Sequence, residues 1–466
     1  MIQLNNTLTA SFLKVFIVYS LFSVKVNYLN RSIMNISEIA LLLNGFNINE
    51  AKKQLDALHK LSSKEYLVYQ KKRLDEIVRF HRENNLTYKD KTKGLQINSF
   101  TDLPIITKKD FQKPIESIIS KGYKVRKLYI GSTSGSSGHP LTFAKNKESH
   151  ALAHAIAFSC YSEYGINLSS KQARFYCIPG SGMSRYHEML KDIVLNRIRF
   201  SVSDISDKQF NAFVGKFRRE EFDYINGYTT SLVHFARYLI RNNIVLKNID
   251  PKLKCCIVTS EVCTLDDKEI LEKAFGIKVV NEYGASEVGI LAFEDTQGDW
   301  RIQTDDLYVE VVDAQDKPLE YGKEGRILIT CLSNKAFPII RYEIGDLGVL
   351  DEKEGKLILK KLLGRTRDII QLPSGRMASG VIFSYITNPL LKNTGIIHEL
   401  IVRQTKIDTF ELDAVMERDL TIDEINFLNS ELAVYLEPGL HLIINRVDKI
   451  ERPVSGKFKL FYSMIN

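Results

Sequence analysis

The sequence predicts an α/β protein: a large N-terminal body of mainly parallel sheets flanked by helices, a small β subdomain, and a small α+β C-terminal domain. Three observations point to this class. Short apolar runs alternate with helical patterns over residues 174–281, the pattern changes to strict period-two alternation from Asp306, and residues 364–466 mix both periods.

The 466 residues are 44% hydrophobic and 26% charged, the balance of an ordinary globular protein rather than of a disordered or membrane-spanning chain. A body of roughly 300 residues buries about three-quarters of the surface its unfolded chain exposes, so a large core is available. The 64 basic and 56 acidic residues leave a net charge of +8 spread along the chain. That excess suits an anionic ligand, but no basic tract marks a nucleic-acid partner. The six cysteines, Cys160, Cys177, Cys255, Cys256, Cys263 and Cys331, form no C-x-x-C pair and no zinc-like spacing with histidine. Reduced, buried thiols in a cytoplasmic setting are expected.

Taken in order, residues 1–33 form an extension of uncertain status. Residues 8–24 are largely apolar with Lys14 as the one charge, yet no basic stretch precedes them and no clear cleavage site follows, so they do not read as a signal peptide. As a membrane anchor they fall at the short end of the roughly 17 to 25 residues a span needs. A start at Met34 is favoured, with Ser37 capping the first helix, and no membrane partner is expected.

Residues 34–363 make the large body. Helical periodicity fills 37–84, including 61–82, and Thr107 is placed to cap a helix from Lys108. A strand over 127–130 then enters the loop 131–140, Gly-Ser-Thr-Ser-Gly-Ser-Ser-Gly-His-Pro, ahead of a helix over 148–164. Small residues leave its backbone N–H groups unshielded, and the hydroxyls of Ser132, Thr133, Ser134, Ser136 and Ser137 add donors, so it suits phosphate oxygens. The same composition also describes a flexible linker. It lacks the Gly-Lys-Ser/Thr ending of a P-loop, and Gly131, Gly135 and Gly138 are not spaced as G-x-G-x-x-G. Beyond it, strands over 174–178, 223–228, 253–259 and 278–281 alternate with helices over 231–242 and 266–275. That order predicts a mainly parallel sheet with ligands at the carboxyl ends of its strands. Alternating residues 307–313 and 325–330 around Asp316-Lys317-Pro318 predict a hairpin. In 364–466, strands near 400–402 and 441–447 and helices over 380–386 and 422–435 make the C-terminal domain.

Five stretches in this order resemble the core motifs of the adenylate-forming enzymes, the acyl- and aryl-CoA synthetase superfamily. They are Thr133-Ser134-Gly135-Ser136-Ser137-Gly138-His139-Pro140, Asn281-Glu282-Tyr283-Gly284-Ala285-Ser286-Glu287, Arg341-Tyr342-Glu343-Ile344-Gly345-Asp346, Gly364-Arg365-Thr366-Arg367-Asp368 and Ser455-Gly456-Lys457. Each is weak singly; the ordered set is specific. Residues 103–108, Asn226-Gly227-Tyr228, Ser260-Glu261 and 336–342 make the chain similar to the phenylacetate-CoA ligase branch and its capsule-biosynthesis relatives, with similarity running from Met34 onward.

The resemblance implies attack of a small carboxylic acid on the α-phosphate of ATP, giving an acyl-adenylate, followed by acyl transfer. CoA is the expected acceptor; a sugar or surface-polysaccharide precursor is the alternative, and a non-catalytic scaffold with the same fold is a rival of another class. It further implies that Ser132, Thr133, Ser134, Gly135, Ser136, Ser137 and Gly138 grip the β- and γ-phosphates and that Glu287 binds Mg²⁺. Glu282, Tyr283, Gly284 and Ser286 line the nucleotide, with the Tyr283 ring on the adenine. Asp346 takes the ribose hydroxyls and Arg365 the ribose or a phosphate, while Ser260 and Glu261 border the adenine. Lys457 bridges the carboxylate and the α-phosphate from a mobile lid, Arg367 is the hinge, and Gly227 and Tyr228 border the acyl pocket.

The chain departs from the family pattern at Thr229-Thr230 after Gly227-Tyr228, at residues 450–453, and at His139 in place of a lysine before the loop proline. Tyr161, Phe175, Tyr176, Tyr228 and Phe235 are either acyl-pocket or core residues.

Overall fold

The computed structural model describes residues 45–133, 141–176, 183–202, 206–365, 369–380, 396–451 and 460–465, with 382, 383, 386, 387 and 390. The N-terminal extension and Ser37 lie outside them. Helices α1 (Ile48–Leu58), α2 (Ser63–Asn84) and α3 (Leu86–Thr92) come first. Ser62 and Glu65 form a capping box at the start of α2, which turns Leu74, Ile77 and His81 inward. Residues Lys108–Phe111 make only a 3₁₀ turn, closed by a reciprocal Thr107–Asp110 box.

Strands β1 (Tyr129–Ser132) and β2 (Thr142–Lys145) pair antiparallel and are followed by α4 (Lys147–Ser162). The Gly/Ser loop therefore joins two antiparallel strands. The expected strand–loop–helix order is corrected here: β2 intervenes, and its buried Phe143 and Ala144 hold it in the core beside β1.

One sheet of eleven strands carries the rest of the body. Its parallel part is β3 (Gln172–Phe175), β4 (Arg197–Phe200), β5 (Tyr224–Tyr228), β6 (Cys255–Thr259) and β7 (Lys278–Ala285). Antiparallel strands β8 (Gly289–Glu294), β9 (Trp300–Ile302), β10 (Leu307–Val312), β11 (Glu324–Cys331), β12 (Tyr342–Lys353) and β13 (Lys356–Arg365) continue it in the order β10-β11-β12-β13-β9-β8-β7-β6-β5-β3-β4. The hairpin expected from residue 307 is β10 with β11, Leu307 opposite Cys331. It joins the parallel strands edge to edge through β13 and β9, at Ile358 and Arg301.

Helices α5 (Met183–Val194), α6 (Asp207–Phe217), α7 (Thr229–Arg241) and α8 (Leu265–Phe275) alternate with the parallel strands. Phe175, Phe200, Phe213, Phe217 and Phe235 stack between α6, α7 and the sheet and are all essentially buried. On the opposite face α4 packs Cys160 and Tyr161 over Tyr224, Cys255, Ile257 and Val280. The antiparallel strands enclose a separate core around Phe111, Phe143, Phe337 and Tyr342.

The C-terminal part has its own core. A short hairpin, β14 (Ile369–Gln371) with β15 (Met377–Ser379), precedes β16 (Ile397–Lys406), β17 (Thr409–Met416), α9 (Ile422–Tyr435), β18 (His441–Arg446) and β19 (Phe461–Ser463). The four long-range strands run in the order β18-β17-β16-β19 over Phe383, Phe410, Leu412, Leu428 and Phe461. Among the described residues no helix is long and apolar enough to cross a membrane. Cys160, Cys255, Cys256 and Cys331 are buried free thiols, and Cys263 is a partly buried one.

Candidate nucleotide site

The site is built where the parallel and antiparallel halves of the sheet meet. The base of the Gly/Ser loop is tied by two hydrogen bonds: the Thr133 amide donates to the Leu141 carbonyl, and the Leu141 amide donates to Thr133 Oγ1, both 2.9 Å. This leaves Ser132 exposed beside the loop, its hydroxyl on the Thr133 carbonyl at 3.3 Å. Ser134, Gly135, Ser136, Ser137, Gly138 and His139 lie outside the described residues.

At the end of β7, Tyr283 is buried and its hydroxyl donates to Asp346 Oδ2 at 2.7 Å. The other oxygen of Asp346 meets Arg365 Nε at 2.9 Å. Asp346 on β12 sits directly opposite Arg365 on β13, so the sheet register brings them together. Burial and the Asp346 carboxylate hold the Tyr283 phenol well above its usual range, so it stays a donor. Each carboxylate oxygen has a second lone pair, so Asp346 can still accept the two hydroxyls of a diol. Gly284 follows at a position where a Cβ would approach the Gly289 carbonyl oxygen to 2.9 Å, so no larger residue lets β7 turn back into β8. Exposed Ser286 lies in that turn.

Glu287, next in the turn, is 8% exposed. Its Oε1 accepts from the Tyr342 hydroxyl at 3.3 Å. Among the described residues no group of three or more His, Cys, Asp or Glu could hold a metal. A lone, hard carboxylate fits Mg²⁺, which keeps several waters and takes substrate phosphates for its remaining positions. Glu282 points to the other side of β7, where Tyr161 of α4 donates to it at 2.6 Å and burial raises its pKa.

Ser260 has a left-handed backbone, φ 72°. The Glu261 carboxylate accepts from the Thr230 amide at 2.8 Å in the first turn of α7. Thr229-Thr230 thus opens a helix whose start is capped from the β6–α8 connection, which commits Glu261 to a structural bond the sequence did not suggest. Gly227 lies against Phe175, where a Cβ would come within 2.6 Å of the Phe175 Cβ and 3.0 Å of its carbonyl oxygen. Only glycine lets β3 and β5 pair this closely. Phe175 and Phe235 belong to the phenylalanine core. Tyr176 and Tyr228 meet with ring centroids 4.5 Å apart at the carboxyl ends of β3 and β5. Lys457 and Arg367 lie outside the described residues.

Two groups were missed. Lys145, at the end of β2, is 4% exposed and lies near Asp306, Cys331 and Glu287; burial lowers its pKa. Arg341 of the third motif is 1% exposed, with Nη1 on the Thr101 and Leu103 carbonyls at 2.7 Å and Nε on Glu310 at 3.3 Å. It pins the segment before Pro104 to the sheet and does not reach the nucleotide residues. Arg341 follows the apolar residues 336–340 and Lys145 precedes the polar Asn146-Lys147-Glu148, and only tertiary packing shows what they face.

No family model matches the chain. Protein CapK of Staphylococcus aureus is 23% identical over 411 residues, which span 84% of this chain and 86% of that protein. Phenylacetate-coenzyme A ligase of Thermus thermophilus is 32% identical over 129 residues, 25% of this chain and 29% of the ligase. Among solved structures, 2-hydroxyisobutyryl-CoA ligase, in the postadenylation state with R3-HIB-AMP, shares the fold with a TM-score of 0.64 at 17% identity, covering 86% of this chain and 90% of its own. In sequence and in fold the chain is thus similar to adenylate-forming ligases, in line with the resemblance its five motifs carry.

Proposed function

We propose that the chain is an ATP-dependent, AMP-forming carboxylate ligase that passes its acyl group to CoA. The observation that carries this reading is the Tyr283–Asp346–Arg365 chain of contacts set beside the buried Glu287. In it, the Tyr283 ring lies against adenine, Asp346 accepts the ribose hydroxyls, and Arg365 bonds ribose or phosphate. The Gly/Ser loop directs its N–H and hydroxyl donors at the β- and γ-phosphates. Glu287 is the side chain that would hold Mg²⁺, which when bound offsets the charge on the departing pyrophosphate. Lys457 stabilises charge on the attacked α-phosphate as a carboxylate oxygen bonds to phosphorus and pyrophosphate leaves. The CoA thiol then attacks the acyl carbon, AMP departs, and the thiol proton is released.

In this reading residues 34–363 form the adenylating domain and residues 364–466 the lid with Arg367 at the pivot, except that Gly364 and Arg365 stay in β13 of the body sheet. The separate C-terminal core supports a rigid-body lid. A second reading of the acceptor, a sugar or polysaccharide precursor in place of CoA, is compatible with the likeness to CapK along 84% of the chain. Incubating the protein with ATP, Mg²⁺ and a panel of carboxylic acids tests the first step. Acid-dependent pyrophosphate and AMP are expected, and their absence across the panel favours a scaffold. Product formation only when CoA is present excludes the sugar reading.

A further inference from the structure

One wall of the region assigned to the acyl group is built of arginine. The strand register sets Gln172 and Arg174 of β3 beside Arg197 and Arg199 of β4 on one side and Tyr224 and Asn226 of β5 on the other. All face away from the phenylalanine core. Two of the three guanidinium groups are neutralised from α5: Arg197 by Asp192, and Arg199 by Asp192 at 2.9 Å and Glu188 at 2.7 Å. Lys191 also leans on Glu188, at 2.9 Å.

Arg174 differs from both neighbours. It forms no ion pair with a described residue, bonds the Gln172 side chain at 3.3 Å, and its buried Nε has no hydrogen-bond partner. Its guanidinium lies 3.8 Å from the centre of the Tyr176 ring. Tyr176 in turn donates to Asn226 at 3.1 Å and meets Tyr228. The Glu282 carboxylate feels the Arg174 charge, but it accepts from the Tyr161 hydroxyl and burial raises its pKa. A partly buried guanidinium with unused donors is costly unless an anion meets it, and its planar fork matches a carboxylate. It sits one residue before the carboxyl end of β3, and such a sheet takes its ligand at the carboxyl ends of its strands.

We propose that Arg174 binds a second carboxylate on the acyl substrate, so that the acid activated here is a dicarboxylic acid whose distal carboxylate docks between Arg174 and Tyr176. This rests on the adenylating function proposed above. Matched pairs of acids, with and without a terminal carboxylate on the same aliphatic or aromatic skeleton, test it by pyrophosphate release. The diacid is expected to exceed its partner by about tenfold or more in kcat/KM, the worth of a hydrogen bond to a charged group. Arg174→Met should erase that preference while leaving the monoacid rate within a few fold, and Arg174→Lys, which keeps a cation without the fork, should retain part of it. A monoacid preference in the wild type, or an unchanged diacid preference in Arg174→Met, overturns the proposal.

Thermal unfolding with each diacid supplies a readout independent of turnover. Stabilisation of the wild type that Arg174→Met loses supports the site even if no acid releases pyrophosphate, in which case the ligase reading alone falls. Absence of stabilisation or turnover with every diacid overturns the site.

Discussion

Replacing Tyr283 by phenylalanine removes one atom from the centre of the site and separates its two expected roles. The lost hydroxyl donates a 2.7 Å bond to Asp346, whose carboxylate is 4% exposed. A buried hydrogen bond to a charged group contributes about 1.5–3 kcal/mol. Arg365 compensates little, because its side chain is 55% exposed and solvent screens the pair. Tyr283→Phe is therefore expected to lower unfolding stability by about 1.5–3 kcal/mol in urea titration. The ring remains, so calorimetric ATP affinity should fall less than about tenfold in Tyr283→Phe and markedly further in Tyr283→Ala. A phenylalanine variant as stable as the wild type would refute the energetic role of the bond. Equal ATP affinity in the phenylalanine and alanine variants would refute the placement of adenine on the ring.

Three further outcomes follow from buried or partly buried groups. Arg341→Met strands Glu310 and the Thr101 and Leu103 carbonyls, so urea unfolding should show a loss of about 3–5 kcal/mol. Glu261→Ala removes the cap on Thr230; a stability loss of about 0.5–2 kcal/mol with little change in the KM for ATP is expected, and a large KM change would return Glu261 to the adenine side. Burial pulls His81 down to about 4, so the folded state carries it neutral. Its contribution is complete above about pH 6.5 and is lost as pH falls toward 4, amounting to about 2 kcal/mol at pH 5. His81→Gln should lessen the stability drop between pH 7 and pH 5 by that amount, and parallel curves for the two proteins would contradict it.

Much of the architecture was legible because apolar runs and helical periods are local. Strands β5, β6 and β7 and helix α9, Ile422–Tyr435, fall where the pattern puts them. β2 escaped notice because it is four residues long and ends in a lysine. β4 reads Arg-Ile-Arg-Phe, and its charges look solvent-facing until α5 supplies Glu188 and Asp192. The nearness of Tyr283 to Asp346 depends on sheet order, which a single sequence does not state. Glu261 capping a helix and Arg174 lacking an ion pair are likewise facts of register and packing, visible only once β3, β5 and β6 lie side by side.

The central claim, that a carboxylate attacks the α-phosphate of ATP, is tested most directly by isotope transfer. An acid that supports turnover is labelled with ¹⁸O in its carboxylate and carried through to acyl transfer, and the products are weighed by mass spectrometry. Cleavage of the acyl–oxygen bond leaves one labelled oxygen on AMP, with unlabelled pyrophosphate, as the account predicts. Label in inorganic phosphate accompanied by ADP would mean attack at the γ-phosphate and would contradict it.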